Sequence, residues 1–167
     1  AVIFISSLMP LALAGVCARS EAQPQPQAAA PPAVPVTVSA ADTNDTLLDS
    51  PRLVVADIRD RGWLLEVFTR HQPEVVFHTA ALKHEPLLEL HPREAWKTNV
   101  LGTQNVLDAA VASGVQLFVN VSTDKAADPT SVLGASKRIT ERLTADAAQR
   151  TGRPYVSVRF GNVLGSR

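Results

Sequence analysis

Short apolar runs alternate with segments of helical periodicity from Arg52 to the end of the sequence. The apolar runs are rich in Val, Leu and Phe, which is typical of parallel strands that are covered on both faces. The segments between them repeat apolar residues on one helical face, as amphipathic helices do. Strands that alternate with helices in this way imply right-handed βαβ crossovers and a parallel sheet. The sequence therefore predicts an α/β protein with a doubly wound parallel sheet.

Capping and turn residues set the boundaries of these elements. Pro92 suits the first turn of a helix, and Gly114 and Gly152 suit helix ends. The predicted strands are residues 53–56, 74–78, 117–121 and 155–160, and the predicted helices are residues 60–71, 92–113 and 131–151.

Residues 1–50 differ in character from the rest of the chain. Residues 1–18 carry no charge, but serine, proline and glycine interrupt them. A membrane helix needs about 20 mostly apolar residues, and no basic residues precede the run as they would in a signal peptide; a membrane or export segment stays an alternative. Residues 23–35 hold five prolines among 13 residues and no charge, which predicts a linker or disordered segment. We predict a disordered or foreign segment at 1–50 and the folded domain at 51–167.

Charge and cysteine content exclude several classes of protein. Lys plus Arg equals Asp plus Glu at 16 each, so the chain has no basic footprint for nucleic acid. Cys17 is the one cysteine, which rules out an internal disulfide framework. Together with the four histidines it gives no zinc-like spacing. No metal site is predicted.

Polar residues follow the apolar run 117–121, where the strand is predicted to end. They are Ser122, Thr123, Asp124 and Lys125, and the next predicted helix carries Lys137. In doubly wound folds, ligands bind outside the carboxyl ends of the strands. The hydroxyl, carboxylate and amine groups therefore indicate a ligand site. A simple turn and helix cap is the alternative.

Four segments of the chain resemble one enzyme family. They read VVFHTAALKHEPLLE, NVLGTQNVLDAA, STDKAADPTSVLGASKR and VRFGNVLGSR. In this order they resemble the polysaccharide-biosynthesis branch of the extended short-chain dehydrogenases/reductases, and within it the UDP-N-acetylglucosamine 4,6-dehydratases of capsule and O-antigen type. The resemblance implies that residues 51–167 form part of a Rossmann-like domain. It also implies NAD or NADP as cofactor, a UDP-sugar substrate and a place in bacterial surface polysaccharide biosynthesis.

The resemblance further implies a reaction and roles for four residues. Hydride passes from sugar C-4 to the cofactor, water is eliminated across C-5 and C-6, and hydride returns to C-6. Thr123 would hydrogen-bond the C-4 hydroxyl, Asp124 would protonate the departing C-6 hydroxyl, and Lys125 would be the base at C-5. Lys137 matches the lysine of the Tyr-x-x-x-Lys motif, which holds the nicotinamide ribose. Burial of Lys125 beside Lys137 as a second cation would lower the pKa of that base.

Other matched positions are assigned by the same resemblance. The cofactor-binding residues would be Asp57, Ile58, Ala80, Ala81, Lys83, Asn99, Ser122 and Lys137. The substrate-binding residues would be Lys83, His84 and Asn162. These positions have ordinary alternatives, which are a strand-end cap, helix packing, a solvated loop, a surface helix position and a turn.

One departure from the family concerns the tyrosine of that motif, whose position is held by Leu133. Leucine cannot transfer a proton, so one alternative is an inactive site. The other is membership of the large membrane-anchored subgroup, in which methionine commonly replaces the tyrosine; leucine resembles methionine in size and polarity. We favour this subgroup, in which Thr-Asp-Lys carries the chemistry. An epimerase or reductase of the same superfamily, which needs the tyrosine, is the runner-up.

A second departure concerns the glycine-rich turn that cradles a pyrophosphate. That turn needs closely spaced glycines, and only Gly15 precedes Gly62. We therefore expect the family's first strand and this turn to be absent, and residues 1–167 alone to lack dehydratase activity. A truncated, inactive fragment is the third alternative. In a complete relative we expect a cytoplasmic catalytic domain, an inner-membrane anchor and a homo-oligomer.

Overall fold

The fold is described from a computed structural model of the chain. It describes residues 2–5 by their backbone and residues 54–161 with their side chains. The proline-rich segment 23–35, most of the rest of residues 1–50, and Asn162 lie outside the described residues. The predictions made for them stay predictions.

Within the described residues, four parallel strands form one sheet. In sheet order they are β1 (Val2–Ile5), β2 (Val75–His78), β3 (Leu117–Thr123) and β4 (Tyr155–Phe160). Each strand pairs in parallel with the next, and the register places His78 opposite Asn120 and Ser122 opposite Arg159. The predicted α/β class with a parallel sheet is confirmed.

Helices lie between the strands, as the periodicity predicts. The described residues contain α1 (Arg61–His71), α2 (Glu85–Leu90), α3 (Pro92–Ala95), α4 (Gly102–Ala112) and α5 (Val132–Thr151). A π-helical turn, Trp96–Leu101, joins α3 to α4, and a 3₁₀ turn, Asp124–Ala126, follows β3. Among the helices of this part of the chain, none is both long and apolar enough to cross a membrane.

The caps of α1 and α5 explain why their limits follow from sequence. The Asp60 side chain accepts a hydrogen bond from the backbone N–H of Trp63, and the Ser131 side chain accepts one from Gly134. Both are ordinary N-cap contacts that satisfy free donors of the first turn. Gly152 ends α5 with a φ of 67°, a left-handed conformation that suits glycine. Both predicted helices are confirmed to within one residue.

At the N-terminal side of the domain, one strand prediction needs correction and one strand was not predicted. Residues 54–56, predicted as part of a strand, are irregular, and the Val55 side chain is 83% exposed. A short apolar run becomes a strand only where a neighbouring strand pairs with it, and the run itself does not specify that partner. The edge beside β2 is instead occupied by Val2–Ile5, where no strand was expected.

The hydrophobic core lies between the sheet and the helices α1, α4 and α5. Its fully buried members include Phe68, Val76, Val106, Leu107 and Phe118. Gly102 lies close to this core: a Cβ there would lie 2.6 Å from Ile58 Cδ1, so a larger residue would require the Ile58 side chain to move.

His78, at the end of β2, makes the stability of the domain depend on pH. Its ring is fully buried, Nε2 contacts Thr103 Oγ1 at 2.8 Å, and burial lowers its pKa to about 3, with the Lys137 charge acting in the same direction. The ordinary pKa of an unfolded histidine is about 6.5. Below that pH, His78 is therefore protonated in the unfolded chain but stays neutral in the folded protein. The stabilisation from neutral His78 is complete above about pH 6.5 and is lost as the pH falls towards 3.

We expect the free energy of unfolding to fall by up to about 1.4 kcal/mol per pH unit below pH 6.5 on account of His78 alone. Urea titrations between pH 7 and pH 5 measure this slope, and His78→Gln supplies the comparison. Equal slopes in the wild type and His78→Gln would show that His78 does not titrate on unfolding.

Candidate active site

The end of β3 and the 3₁₀ turn after it place three polar side chains together. Thr123 Oγ1 donates to Asp124 Oδ1 at 2.8 Å, and the Lys125 backbone N–H donates to the same Oδ1 at 2.9 Å. Lys125 Nζ lies 3.8 Å from Asp124 Oδ1. Thr123 still pairs with Phe160 of β4, so β3 runs two residues further than predicted. The turn therefore starts from a strand residue that is held on the sheet.

The Asp124 carboxylate is kept in its ionised form in this arrangement. The hydrogen bond from Thr123 is the largest cause of its lowered pKa, followed by contacts with Lys125, while desolvation acts in the opposite direction. Asp124 and Lys125 are both about half exposed, at 56% and 44% of the side chain. The expected burial of Lys125 beside a second cation is therefore wrong for this structure, because the turn projects Lys125 from the strand end next to Asp124.

The buried lysine of this region is Lys137, on the second turn of α5. It is 8% exposed and its Nζ donates to the Val121 carbonyl at 2.8 Å. Burial lowers its pKa to about 8, and the Glu141 charge acts in the opposite direction. Within residues 54–161, the Val121 carbonyl is the one hydrogen-bond acceptor of the Lys137 ammonium. Since an ammonium has three donors, two remain to bind a ligand.

Gly134 lets α5 pass directly under the Thr123–Asp124–Lys125 turn. A Cβ at this position would lie 2.6 Å from the Lys125 carbonyl oxygen and 3.3 Å from Pro129 Cα. Both are backbone atoms, so the contact could not be relieved by turning a flexible side chain. A glycine is needed here for close approach. Sequence reasoning missed this residue, although its place beside Leu133 is visible in the motif.

Leu133, at the tyrosine position of the motif, lies in a small apolar cluster. It is 8% exposed and packs with Leu88, Ala95 and Val132. The start of α5 is further tied to α2, because the Val132 N–H donates to Glu89 Oε1 at 2.7 Å. The side chain at this position is buried and apolar, and it has no proton to transfer.

Asn99 holds the loop that follows β2. Its Oδ1 accepts from the Leu82 N–H at 2.8 Å, and its Nδ2 donates to the Leu82 carbonyl at 3.1 Å and to Ser136 Oγ at 3.1 Å. Asn99 is 1% exposed and lies within the π-helical turn, a distortion that is frequent at functional sites. The predicted long helix is interrupted at this turn. The surface alternative for Asn99 is excluded by its burial.

A cleft of about 450 Å³ opens beside the end of β2. Its lining residues are Ala56, Asp57, Ile58, Arg59, Ala80, Leu82, Glu94 and Thr98. Three of the predicted cofactor residues, Asp57, Ile58 and Ala80, are therefore brought together. Arg59, which sequence reasoning missed, binds both oxygens of Asp57 with contacts between 2.6 and 3.0 Å. This pairing is the main cause of the lowered pKa of Asp57.

The remaining predicted residues lie in different places. Lys83 and His84 are exposed, and His84 borders a second, apolar pocket of about 200 Å³ beside α2. Ala81 is half-buried in the loop after β2. Ser122 is 5% exposed and donates to Glu141 Oε1 at 2.6 Å. Ser122 thus faces helix α5.

Curated proteins similar to this chain include a polysaccharide biosynthesis protein, a nucleotide-sugar dehydratase and a nucleotide-sugar epimerase. The chain is 46% identical over 113 residues to the probable polysaccharide biosynthesis protein EpsC of Bacillus subtilis. This alignment covers 68% of this chain and 19% of that protein. It is 38% identical over 119 residues to an inverting UDP-N-acetylglucosamine 4,6-dehydratase of Campylobacter jejuni, covering 70% and 35%. It is 42% identical over 125 residues to a UDP-glucose 4-epimerase of Rickettsia canadensis, covering 72% and 36%. The chain spans well under half the length of each.

Solved structures show the same fold. Pen from Bacillus thuringiensis matches with a TM-score of 0.62 at 41% identity, over 68% of this chain and 36% of that one. UDP-glucose 4-epimerase from Brucella ovis in complex with NAD matches with a TM-score of 0.64 at 28% identity, over 68% and 39%. Residues 36–167 match the family described as polysaccharide biosynthesis protein. With the parallel sheet and the Thr-Asp-Lys turn, this match shows that the chain belongs to the polysaccharide biosynthesis protein family, within the Rossmann-fold short-chain dehydrogenases/reductases.

Proposed function

We propose that the whole protein is a nucleotide-sugar 4,6-dehydratase that acts on UDP-N-acetylglucosamine. The observation that carries the proposal is the Thr123–Asp124–Lys125 turn beside an apolar Leu133. This arrangement offers a hydroxyl, an acid and a base at one strand end but no phenol. Dehydration needs an acid and a base, and the turn supplies both from adjacent residues.

The residues fit a bound NAD or NADP. The cleft at the end of β2 supplies Asp57, Ile58 and Ala80 for the adenosine portion, and the Lys137 ammonium has two donors left for the hydroxyls of a ribose. The bound nicotinamide supplies reversible hydride transfer at sugar C-4 and C-6. Asn99 supports this side indirectly, because it fixes the Leu82 backbone at the cleft wall. Relatives crystallised with NAD support the same cofactor class.

The hydrogen bond between Thr123 and Asp124 links substrate binding to the acid. Asp124 is held ionised mainly by the Thr123 hydroxyl, yet an acid must carry a proton. When Thr123 turns its hydroxyl to the sugar C-4 oxygen, Asp124 loses its strongest stabilising donor and its pKa rises. In this proposal the carboxyl group, protonated from solvent, gives its proton to the departing C-6 hydroxyl, which leaves as water.

Lys125 takes the C-5 proton in this proposal. Its Nζ lies 3.8 Å from Asp124 and its side chain is 44% exposed, so a sugar placed over the turn would cover both groups. Lys83, His84 and Asn162 are proposed as the substrate side of the site. A cytoplasmic location is proposed for the catalytic domain.

A UDP-sugar 4-epimerase is the second candidate, because a relative with that name is 42% identical. Epimerisation inverts C-4 and removes no water. The buried leucine at the tyrosine position disfavours it, since Leu133 has no proton to exchange with the C-4 hydroxyl. The products distinguish the two functions: only the dehydratase forms a 4-keto-6-deoxy sugar.

Leu133→Ala is expected to reduce turnover far less than changes in the Thr-Asp-Lys turn do. The side chain contributes packing with Leu88 and Ala95, so the main effect is a loss of stability of about 2–5 kcal/mol, as for other large-to-small core changes. Turnover per folded molecule, with the folded fraction taken from circular dichroism, is the measurement. A loss of 100-fold or more in folded Leu133→Ala (the lower end of the usual contribution of an acid or base, about 10²) would give this position a chemical role and contradict the proposal.

A further inference from the structure

Glu141, on α5 one turn after Lys137, is a largely buried carboxylate that contacts three other side chains. Its Oε1 accepts from Ser122 Oγ at 2.6 Å and from Arg159 Nε at 2.8 Å, and its Oε2 accepts from Arg159 Nη2 at 2.7 Å. Arg138 Nη1 lies 3.8 Å from Oε2, and the Glu141 side chain is only 12% exposed. The Arg159 contacts are the main cause of its lowered pKa, so the carboxylate stays charged.

These contacts connect the carboxyl-terminal ends of β3 and β4 to helix α5. Ser122 and Arg159 are register partners on β3 and β4, and Glu141 binds both. Four residues earlier on the same helix, Lys137 binds the Val121 carbonyl. Residues four apart lie on one face of a helix. Helix α5 therefore holds two consecutive residues of β3, directly before Thr123.

The negative charge of Glu141 also acts on Lys137, because it raises the pKa of the ammonium. The titratable groups that face Lys137 are His78, from β2, and Glu141, from its own helix. His78 is neutral because its pKa is about 3. Glu141 alone therefore opposes the desolvation of the ammonium, while Arg138 and Arg159 offset part of its charge.

We propose that Glu141 is a positioning residue of this site, which anchors Ser122 beside the Thr123–Asp124–Lys125 turn and places a negative charge on the face of α5 that carries Lys137. The roles of Thr123 and Lys137 rest on the proposed function. The contacts of Glu141 and its effect on Lys137 do not, and they can be measured without cofactor or substrate.

The test is an NMR titration of the full chain carrying ¹³C-labelled lysine, in which Lys137→Met assigns one of the four lysines. In the wild type we expect Lys137 to titrate near pH 8. Glu141→Gln keeps the hydrogen-bond acceptor for Ser122 but removes the charge, so the midpoint should move to lower pH. Asp146→Asn is the matched control: it removes an exposed carboxylate, paired with Arg150, from the same helix, and should leave the midpoint unchanged.

Arg159→Gln provides a variant of opposite sign. It removes a cation that offsets the Glu141 charge, so the Lys137 midpoint should move to higher pH. The proposal is overturned if the Lys137 midpoint in Glu141→Gln equals that of the wild type, or if Asp146→Asn shifts it equally. Should Glu141→Gln not fold, an unchanged midpoint in Arg159→Gln overturns the proposal. Absence of nucleotide-sugar turnover in the whole protein would refute the proposed function but leave these titrations unaffected.

Discussion

Lys125→Ala and Asp124→Asn should each lower the formation of the 4-keto product by about 10²–10⁴-fold in the whole protein, which is the usual contribution of an acid or base. Lys125→Ala removes the group proposed to take the C-5 proton. Asp124→Asn keeps the size of the side chain but cannot deliver a proton to the C-6 oxygen. Both side chains are about half exposed, so the fold should tolerate the changes. Steady-state product formation, with circular dichroism to check folding, measures the effect.

Lys97→Ala and Asp128→Asn are suitable controls for these two variants. Lys97 is an exposed lysine whose partner is Glu94, and Asp128 is an exposed aspartate four residues after Asp124. Both controls should retain turnover close to the wild type. If Lys125→Ala also kept near-normal turnover, the roles assigned to the Thr-Asp-Lys turn would have to be abandoned.

Gly134→Ala should abolish most of the activity through geometry alone. The added Cβ would lie 2.6 Å from the Lys125 carbonyl oxygen, so α5 and the turn must move apart. Overpacking of this kind costs about 1–3 kcal/mol, and displacements near 1 Å at a reacting group can cost about 10²-fold in rate. We expect a folded protein with a lower melting temperature and at least a tenfold loss of turnover.

Gly62→Ala is the matched change on another helix. Gly62 is exposed on α1, and a Cβ there would meet only Asp60 Oδ1 at an ordinary 3.5 Å. Because alanine is the better helix former by up to about 1 kcal/mol, this variant should be as stable as the wild type or slightly more stable. Wild-type stability and turnover in Gly134→Ala would show that the turn does not need the close contact.

Local signals account for the parts of the fold that were predicted from sequence. The limits of α5 follow from Ser131 and Gly152, which cap it at both ends. Long-range pairing accounts for the parts that were missed. Residues 54–56 look like a strand but are irregular, and Val2–Ile5 was not predicted to pair with β2. Helix α2 has only six residues, too few to show a clear period.

Some features of the candidate site could likewise be predicted from sequence, and others could not. The position of Thr123, Asp124 and Lys125 at a strand end could be predicted because the apolar run stops there. The exposure of Lys125 and the need for glycine at position 134 depend on how closely α5 approaches the turn. That distance is a property of packing and leaves no periodic signal in the sequence. The spacing of Glu141 four residues after Lys137 was visible, but its partner Arg159 lies on another strand.

The most direct test of the dehydratase assignment is the mass of the product formed in deuterated water. The whole protein is incubated with UDP-N-acetylglucosamine and NAD, and the nucleotide sugar is analysed by mass spectrometry and NMR. We predict a product that has lost one water, carries a keto group at C-4 and holds one solvent deuterium at C-5, because the base removes the C-5 proton and C-5 takes a deuteron from solvent when hydride returns to C-6. A product of unchanged composition that is inverted at C-4 and free of deuterium would contradict the assignment and establish an epimerase instead.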